Sequence, residues 1–561
     1  MRKNLLFFLM LFVFAPGFYF HSIACTNFLI TKGASVDGSV MITYSADSHV
    51  LYGELYYWPS RDWPEGSMMD VIEWDTGKPM GKIPQVKHTY SVVGNMNEHQ
   101  VAIGETTYGG RSELASQPGA IMDYGSLIYI GLQRARTARE LIKIIGDLMA
   151  EYGYASSGES LSISDPNEVW IMEIIGKGKD EKGAVWVAMR IPDGYVSGHA
   201  NHPRITQFPM NDPQNCLFAP DVISFARKMG WFDGPDSDFS FSDTYAPLDF
   251  GGARFCEARV WAMFNRINSN MKQYEDYAMG HFAKDKYGYA SGRMPLYIKP
   301  DRKLSVHDVM ELMRDHYEGT PMDMNNDIGA GPFSLPIRWR PMTWMIDSVG
   351  YVHERATSTM QTGFVFVAQS RNWLPDPIGG ILWFGVDDTY CTVFSPMYCG
   401  MTRVPESFEV GNGDMLHYST TSGFWVFNAV TNWVYTRWSY MIKDLQKVQR
   451  ELETKYIAMT PAVDKAALEL YNLDPDLSRE YLTNYSVSTG NYTVKRWQEL
   501  GEYLLVKYID GNIKKEKDGV FEANPYGIPV SPSQPGYPEW WLREIVRQHG
   551  EVIKQVGASG H

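Results

Sequence analysis

Short apolar runs and strict alternation dominate the first half of the chain. Residues 25–32, Cys-Thr-Asn-Phe-Leu-Ile-Thr-Lys, form one β-rich run, and residues 39–45, Ser-Val-Met-Ile-Thr-Tyr-Ser, form another. Between them Gly-Ala-Ser-Val-Asp-Gly carries turn chemistry, so the stretch predicts a hairpin. Folding about that turn sets residues 44–50 opposite the start of the first strand and brings Asp47 near Cys25. Further strands are expected at residues 101–107, 161–164, 169–174 and 186–190, and in the second half at 358–369 and 379–394. The period changes in between. Thr137 and Glu140 read as a capping box ahead of Leu141, Ile144, Ile145, Leu148 and Met149 at helical spacing. Ser305 and Asp308 open a second helix through Val309, Met310, Leu312 and Met313. From about residue 425 the pattern turns helical, through 444–455 and again at 466–471. With no internal repeat and no linker rich in Gly, Pro or Ser, the expectation is one large body over 25–424 and a helical extension over 425–561 packed on it.

The first 24 residues break this pattern. Arg2 and Lys3 precede an apolar run over 5–20, and Ser22-Ile-Ala24 puts small residues at both positions a signal peptidase reads, directly before Cys25. A signal peptide over 1–24 is expected, giving a secreted or periplasmic protein. Two alternatives stay open: an uncleaved anchor, and a lipoprotein acylated on Cys25, although Ser22 stands where a lipobox wants Leu. No later stretch reaches the roughly 18 uninterrupted apolar residues of a membrane span. The 561-residue chain has a formal net charge of −14; without Arg2 and Lys3, 49 basic residues face 65 acidic ones, giving −16. Such a surface offers nucleic acid or anionic lipid no electrostatic footprint, and no nucleic-acid partner is expected. Of five cysteines, four (Cys216, Cys256, Cys391 and Cys399) could pair in an oxidising compartment, with Cys25 left over. There is no CxxC, HExxH, P-loop or GxSxG, and neither metal nor organic cofactor is expected. Asp323, Asn325 and Asp327 alternate like a calcium loop, but the glycine and final glutamate are misplaced, and the segment reads as a turn.

A cysteine freed at the N-terminus carries its own base, because an α-amine has a pKa near 7.7 to 8 and is readily uncharged at mild pH. The thiolate attacks a carbonyl, an oxyanion meets fixed donors, and water releases the acyl group. Cys25-Thr-Asn-Phe with Asp37-Gly-Ser39 and Asp47 resembles the opening of the cysteine dipeptidases of the N-terminal nucleophile (Ntn) hydrolases, relatives of penicillin V acylase and bile salt hydrolase. Asn97-Glu-His99, Gly104-Glu105, Trp170-Ile-Met-Glu173, Ala200-Asn-His202, residues 254–261 and 316–320, Arg355 and residues 366–371 extend the resemblance in order along most of the chain. It implies an α+β fold, a four-layer αββα sandwich, and hydrolysis of dipeptides without a cofactor. It also implies roles: Cys25 as nucleophile, Asp47 as the carboxylate orienting its amine, Asn201 as oxyanion donor, Arg259 as the cation steadying the thiolate, and Asn97 as a second oxyanion donor.

Read alone, each residue has a plainer meaning. Asp47 suits a turn, Asn201 before His202-Pro203 suits a turn cap, and Arg259 suits an ion-paired helix face. One departure bears on specificity: the family often carries Arg-Asn before the acidic residue, where this chain has Tyr44-Ser45-Ala46-Asp47. Activation would then rest more on Arg259 and the amine. An acylase for N-acyl amino acids or bile-salt conjugates, and a peptide- or glycan-binding lipoprotein, stay open as alternatives, as does self-association.

Overall fold

The computed structural model describes residues 25–555 apart from Ser116 and Asp180. The expected signal peptide, 1–24, lies outside the described residues.

Two antiparallel sheets form the body. Ten strands carry it: β1 (Asn27–Ile30), β2 (Val40–Asp47), β3 (Ala102–Tyr108), β4 (Gly158–Ser164), β5 (Val169–Gly176), β6 (Ala184–Arg190), β7 (Val196–His199), β8 (Thr362–Ser370), β9 (Ile381–Val386) and β10 (Ser395–Tyr398). The first sheet runs Tyr297–Ile298, β7, β1, β2, β8, β9, β10. The second runs Cys216–Phe218, β6, β5, β4, β3, Met96–Asn97, Val92–Val93, Tyr57–Trp58. Nearly every residue of β2, β4, β5 and β8 is buried, as strands covered on both faces must be. The sheets face each other through β1 and β2 on one side and β3 and β4 on the other. A Cβ on Gly104 would lie 3.0 Å from Tyr44 Cβ and 3.1 Å from the Thr43 carbonyl, so the absence of a side chain sets how closely the sheets approach.

The hairpin forms as its sequence dictates. Leu29 pairs with Ile42, Ile30 with Met41, and Thr26 bridges to Ser45, while Gly38 in the turn takes φ +82°. Of the helices, α1 (Tyr124–Leu132) and α2 (Ala138–Tyr152) belong with the second sheet, and α2 packs on β4, β5 and β6. Thr137 Oγ1 accepts from the Glu140 N–H, and Gly153 ends α2 at φ +79°. The glutamate carboxylate, however, takes the Arg136 N–H rather than closing the box on Thr137. Helix α3 (Ala258–Ile267) follows a π-helical stretch, Gly252–Glu257. Helix α4 (Val306–Met313) starts with a complete Ser305/Asp308 box and packs on β2 and β8.

The expected strand over 379–394 is broken. Asp387 takes φ +68° in a turn, so β9 stops at Val386 and β10 starts at Ser395. Beyond it come α5 (Gly423–Thr436), α6 (Trp438–Leu473) and α7 (Pro475–Tyr508), then a largely irregular stretch and α8 (Glu539–Ile553). Helix α7 packs on α5, α6 and β10. The stretch from 509 to 538 is thus less helical than its surroundings led the sequence to suggest. Its prolines, among them Pro529, Pro532, Pro535 and Pro538, withhold the N–H groups a helix needs.

Candidate active site

Cys25 opens the first strand run and is fully buried between the sheets. Its thiol faces two oxygens: Glu105 Oε1 at 3.4 Å and Tyr44 Oη at 3.8 Å. Tyr44 in turn donates to Glu105 Oε1 at 2.5 Å. Burial, followed by the negative charges of Glu105 and Asp47, pushes the thiol well above its ordinary range, while the Asp47 backbone N–H favours the ionised sulfur. The thiol therefore stays protonated until a base takes its proton. In the intact chain the α-nitrogen of Cys25 is an amide and cannot be that base.

Arg259 holds the start of β1 from the other side. Its five N–H groups meet five acceptors: the Cys25 carbonyl and Thr26 Oγ1 from Nη1, the Ala200 carbonyl and Asn201 Oδ1 from Nη2, and the Phe255 carbonyl from Nε. The guanidinium is buried, not on a solvated helix face, and it grips the backbone of the cysteine rather than its sulfur. The π-helical stretch ahead of α3 supplies the Phe255 carbonyl, a placement such stretches often serve at functional sites. Asn201 takes φ +59° just after β7 and donates through Nδ2 to the Thr107 carbonyl at 2.6 Å. Arg259 and Asn201 thus form one unit joining β1, β3 and the end of β7.

Asp47 ends β2 beside Cys25, where the hairpin register puts it. Its carboxylate accepts from Arg355 Nη2 at 2.6 Å, from Thr362 Oγ1 at 2.7 Å and from Ser45 Oγ at 3.0 Å. Its carbonyl accepts from Gln361 Nε2, and Gln361 Oε1 accepts from Arg340 Nη2 at 2.6 Å. Arg259, Arg355 and Arg340 make this side of the thiol cationic; the crowding of like charges, after burial, lowers Arg340 to about 10.

The opposite side is acidic. Glu105 on β3 and Glu159 on β4 bring their carboxyl groups together, and burial raises both, Glu159 the more. Asn27 fixes Glu105 from below: with its amide turned to suit its neighbours, its oxygen accepts from the Glu105 N–H at 3.0 Å and its nitrogen donates to the Thr26 and Thr43 carbonyls. Neither Glu105 nor Tyr44 is among the residues the sequence assigned a role. The signal for Glu105 is a lone acid in an otherwise uncharged strand, residues 101–107.

Four expected residues, Cys25, Asp47, Asn201 and Arg259, meet at one place; Asn97 does not serve as expected. Both its Nδ2 hydrogens are committed, to the Leu132 and Ala135 carbonyls at 2.8 and 2.7 Å, and its oxygen takes the His99 and Val101 N–H groups. It fastens the loop after α1 and has no hydrogen for an oxyanion. Cys216, Cys256, Cys391 and Cys399, the four that could pair, are free, as is Cys25. The Asp323 segment is a turn, with Asp323 Oδ1 on the Asn325 N–H and Asp327 Oδ1 on the Gly329 N–H. Among the described residues His307, Glu311 and Glu453 lie close enough to share a cation, but Arg314 donates to both carboxylates at 2.5 Å and supplies the positive charge. No described helix is long and apolar enough to cross a membrane.

The model of peptidase family C69 matches residues 24–451, from the residue before the buried thiol into α6. The chain belongs to peptidase family C69. This is a cysteine peptidase family of the Ntn type, so the C69 match and the buried Cys25 speak to the same chemistry. Similar proteins include a "Probable dipeptidase" of Latilactobacillus sakei, 25% identical over 492 residues, which cover 83% of this chain and 93% of the relative. A "Probable dipeptidase" of Salmonella dublin is 24% identical over 414 residues, 69% of this chain and 84% of the relative. A "Probable dipeptidase B" of Streptococcus pyogenes serotype M1 is 20% identical over 513 residues, 88% and 94% respectively. The C69 match ends within α6, so α7 and α8 lie beyond it.

Proposed function

We propose that this C69 peptidase is an exported cysteine dipeptidase with the four-layer sandwich of Ntn hydrolases, made active when the residues before Cys25 are removed. One observation carries the reading: a buried, protonated thiol at the start of β1 has its own backbone, not its sulfur, clamped by Arg259. A base must come from close by, and the α-amine that cleavage would expose is attached to the same residue. The apolar run over 5–20 and the small residues Ser22 and Ala24 support cleavage at that point by a signal peptidase, outside the cytoplasm.

The freed amine takes the thiol proton, and the sulfur forms a bond to the peptide carbonyl carbon as the C=O π pair moves to oxygen. Asn201 donates to that oxyanion, and Asp47 orients the amine. Collapse breaks the C–N bond, and the leaving amine takes the proton held by the α-ammonium. Water then attacks the thioester, releases the carboxylic acid and returns a proton to sulfur. Intact mass and N-terminal analysis of the exported protein, with dipeptide hydrolysis assayed beside Cys25→Ser, test this. A free Cys25 terminus and activity lost in the variant are expected. A lipidated or uncleaved terminus, or full activity with serine, overturns it.

A further inference from the structure

The charges around the thiol are divided, acids to one side and arginines to the other, and this division matches the two ends of a small zwitterion. We infer that the cleft reads both termini of a dipeptide: Glu105 and Glu159 hold the α-ammonium, and Arg340 holds the C-terminal carboxylate. The inference rests on Cys25 as the nucleophile.

On the acid side the groups acting most strongly on Glu105 and Glu159 are other acids, hydroxyls and the thiol, not cations. Glu159 Oε2 is buried and takes no hydrogen from any described group other than the Glu105 carboxyl that faces it. Two carboxyl groups face to face keep one proton between them, leaving one negative charge for one cation. Distance selects which cation fits. In a peptide the α-nitrogen lies about 2.5 Å from the carbonyl carbon, two bonds away. Attack places that carbon about 3–3.5 Å from sulfur. An ammonium so placed reaches Glu105 Oε1, itself 3.4 Å from the sulfur. Within the substrate, only the free amine of the residue contributing the acyl group satisfies both distances.

Past Tyr44 the same side opens into a narrow aromatic cleft. Tyr56, Trp58, Tyr129 and Trp74 close a ring of rings, with centroid separations of 5.6, 5.9, 6.3 and 4.8 Å taken in turn. Tyr44 and Phe364 line it too. The free space among these rings is about 30 Å³, room for a water and not for a side chain, so they wall off this side of the thiol. On the cationic side Arg340 is half-buried, spends Nε and Nη2 on Gln361, and donates through Nη1 to no described group. Gln361 joins it to the Asp47 backbone beside the thiol. It is therefore placed for a carboxylate one residue beyond the scissile bond.

The test uses processed enzyme and kcat/KM for Phe-Ala, N-acetyl-Phe-Ala and Phe-Ala amide. Phe-Ala should exceed the acetylated peptide by at least 100-fold and the amide by at least 10-fold. Glu105→Gln should shrink the acetylation penalty and leave the amide penalty; Arg340→Gln should do the reverse. That crossed pattern cannot come from a general loss of structure, and the substrate series on wild-type enzyme decides the matter even if a variant fails to fold. Equal cleavage of the acetylated peptide, still abolished by Cys25→Ala, overturns the inference and leaves the thiol hydrolase; the acid pair would then serve the enzyme's own amine. Cleavage of none of these peptides by processed protein overturns both.

Discussion

Replacing Arg259 by lysine keeps the charge and removes the geometry. The guanidinium satisfies five acceptors with five N–H groups, all in a buried site. An ammonium has three N–H groups, so at least two acceptors lose their donor. At about 1–3 kcal/mol for each buried group left unsatisfied, the cost is about 2–6 kcal/mol. Unfolding entropy of about 2.1 cal/mol/K per residue gives about 1.2 kcal/mol/K for 561 residues, so Tm should fall by about 2–5 °C. Activity should fall further than stability. Cys25 and Asn201 are positioned by the same side chain, and a displacement of about 1 Å at a reacting centre costs about 100-fold. Scanning calorimetry and kcat/KM on the same preparation of Arg259→Lys check both. An unchanged Tm with a kcat/KM within threefold of wild type would show that the five bonds do not fix the nucleophile, and would refute the clamp.

Three further outcomes follow from the packing. Asp387 is buried, with one oxygen on Asn428 Nδ2 and the other without a donor, and burial pushes it up to about 7 from 3.8. A raised carboxyl stabilises the fold below its unfolded value and loses that contribution as pH rises to the folded one, here about three units, or about 4 kcal/mol. Asp387→Asn does not titrate and tolerates the left-handed backbone, so its Tm advantage over wild type should grow from pH 4 to pH 7 and then level off; a constant difference would contradict this. Tyr44→Phe removes the donor at 2.5 Å from Glu105, a charge-assisted bond of about 1.5–3 kcal/mol, and should move the acid limb of kcat/KM upward by about one to two pH units. Gly104→Ala drives a methyl group against Tyr44 Cβ and the Thr43 carbonyl, and should cost about 1–3 kcal/mol in denaturant unfolding together with activity.

What the sequence conveys is whatever is settled locally. The hairpin, its Asp37-Gly38 turn and the approach of Asp47 to Cys25 follow from a period of two and a turn signal, and the Ser305 box follows from two residues three apart. Partners distant in the chain are not legible that way. The acceptors of Arg259 come from residues 25, 26, 200, 201 and 255, so nothing near position 259 separates a buried clamp from an ion-paired surface. Asn97 misleads for the same reason: its hydrogens go to carbonyls 35 and 38 residues away. Glu105 and Glu159 meet only because β3 and β4 are neighbours in one sheet, a fact of topology rather than of motif.

The far edge of the first sheet has a consequence for the whole molecule. Strand β10 has β9 on one side, and on its other side the Tyr398 N–H donates to Ser486 Oγ of α7 at 3.2 Å, while Ser395 Oγ donates to Thr493 Oγ1 at 3.0 Å. An open strand edge is a template on which another chain can add itself, and here helix hydroxyls occupy it. Helix α7 thus acts as a stopper against polymerisation. Shortened versions of this protein that end before α7 would be sticky, however complete their catalytic residues.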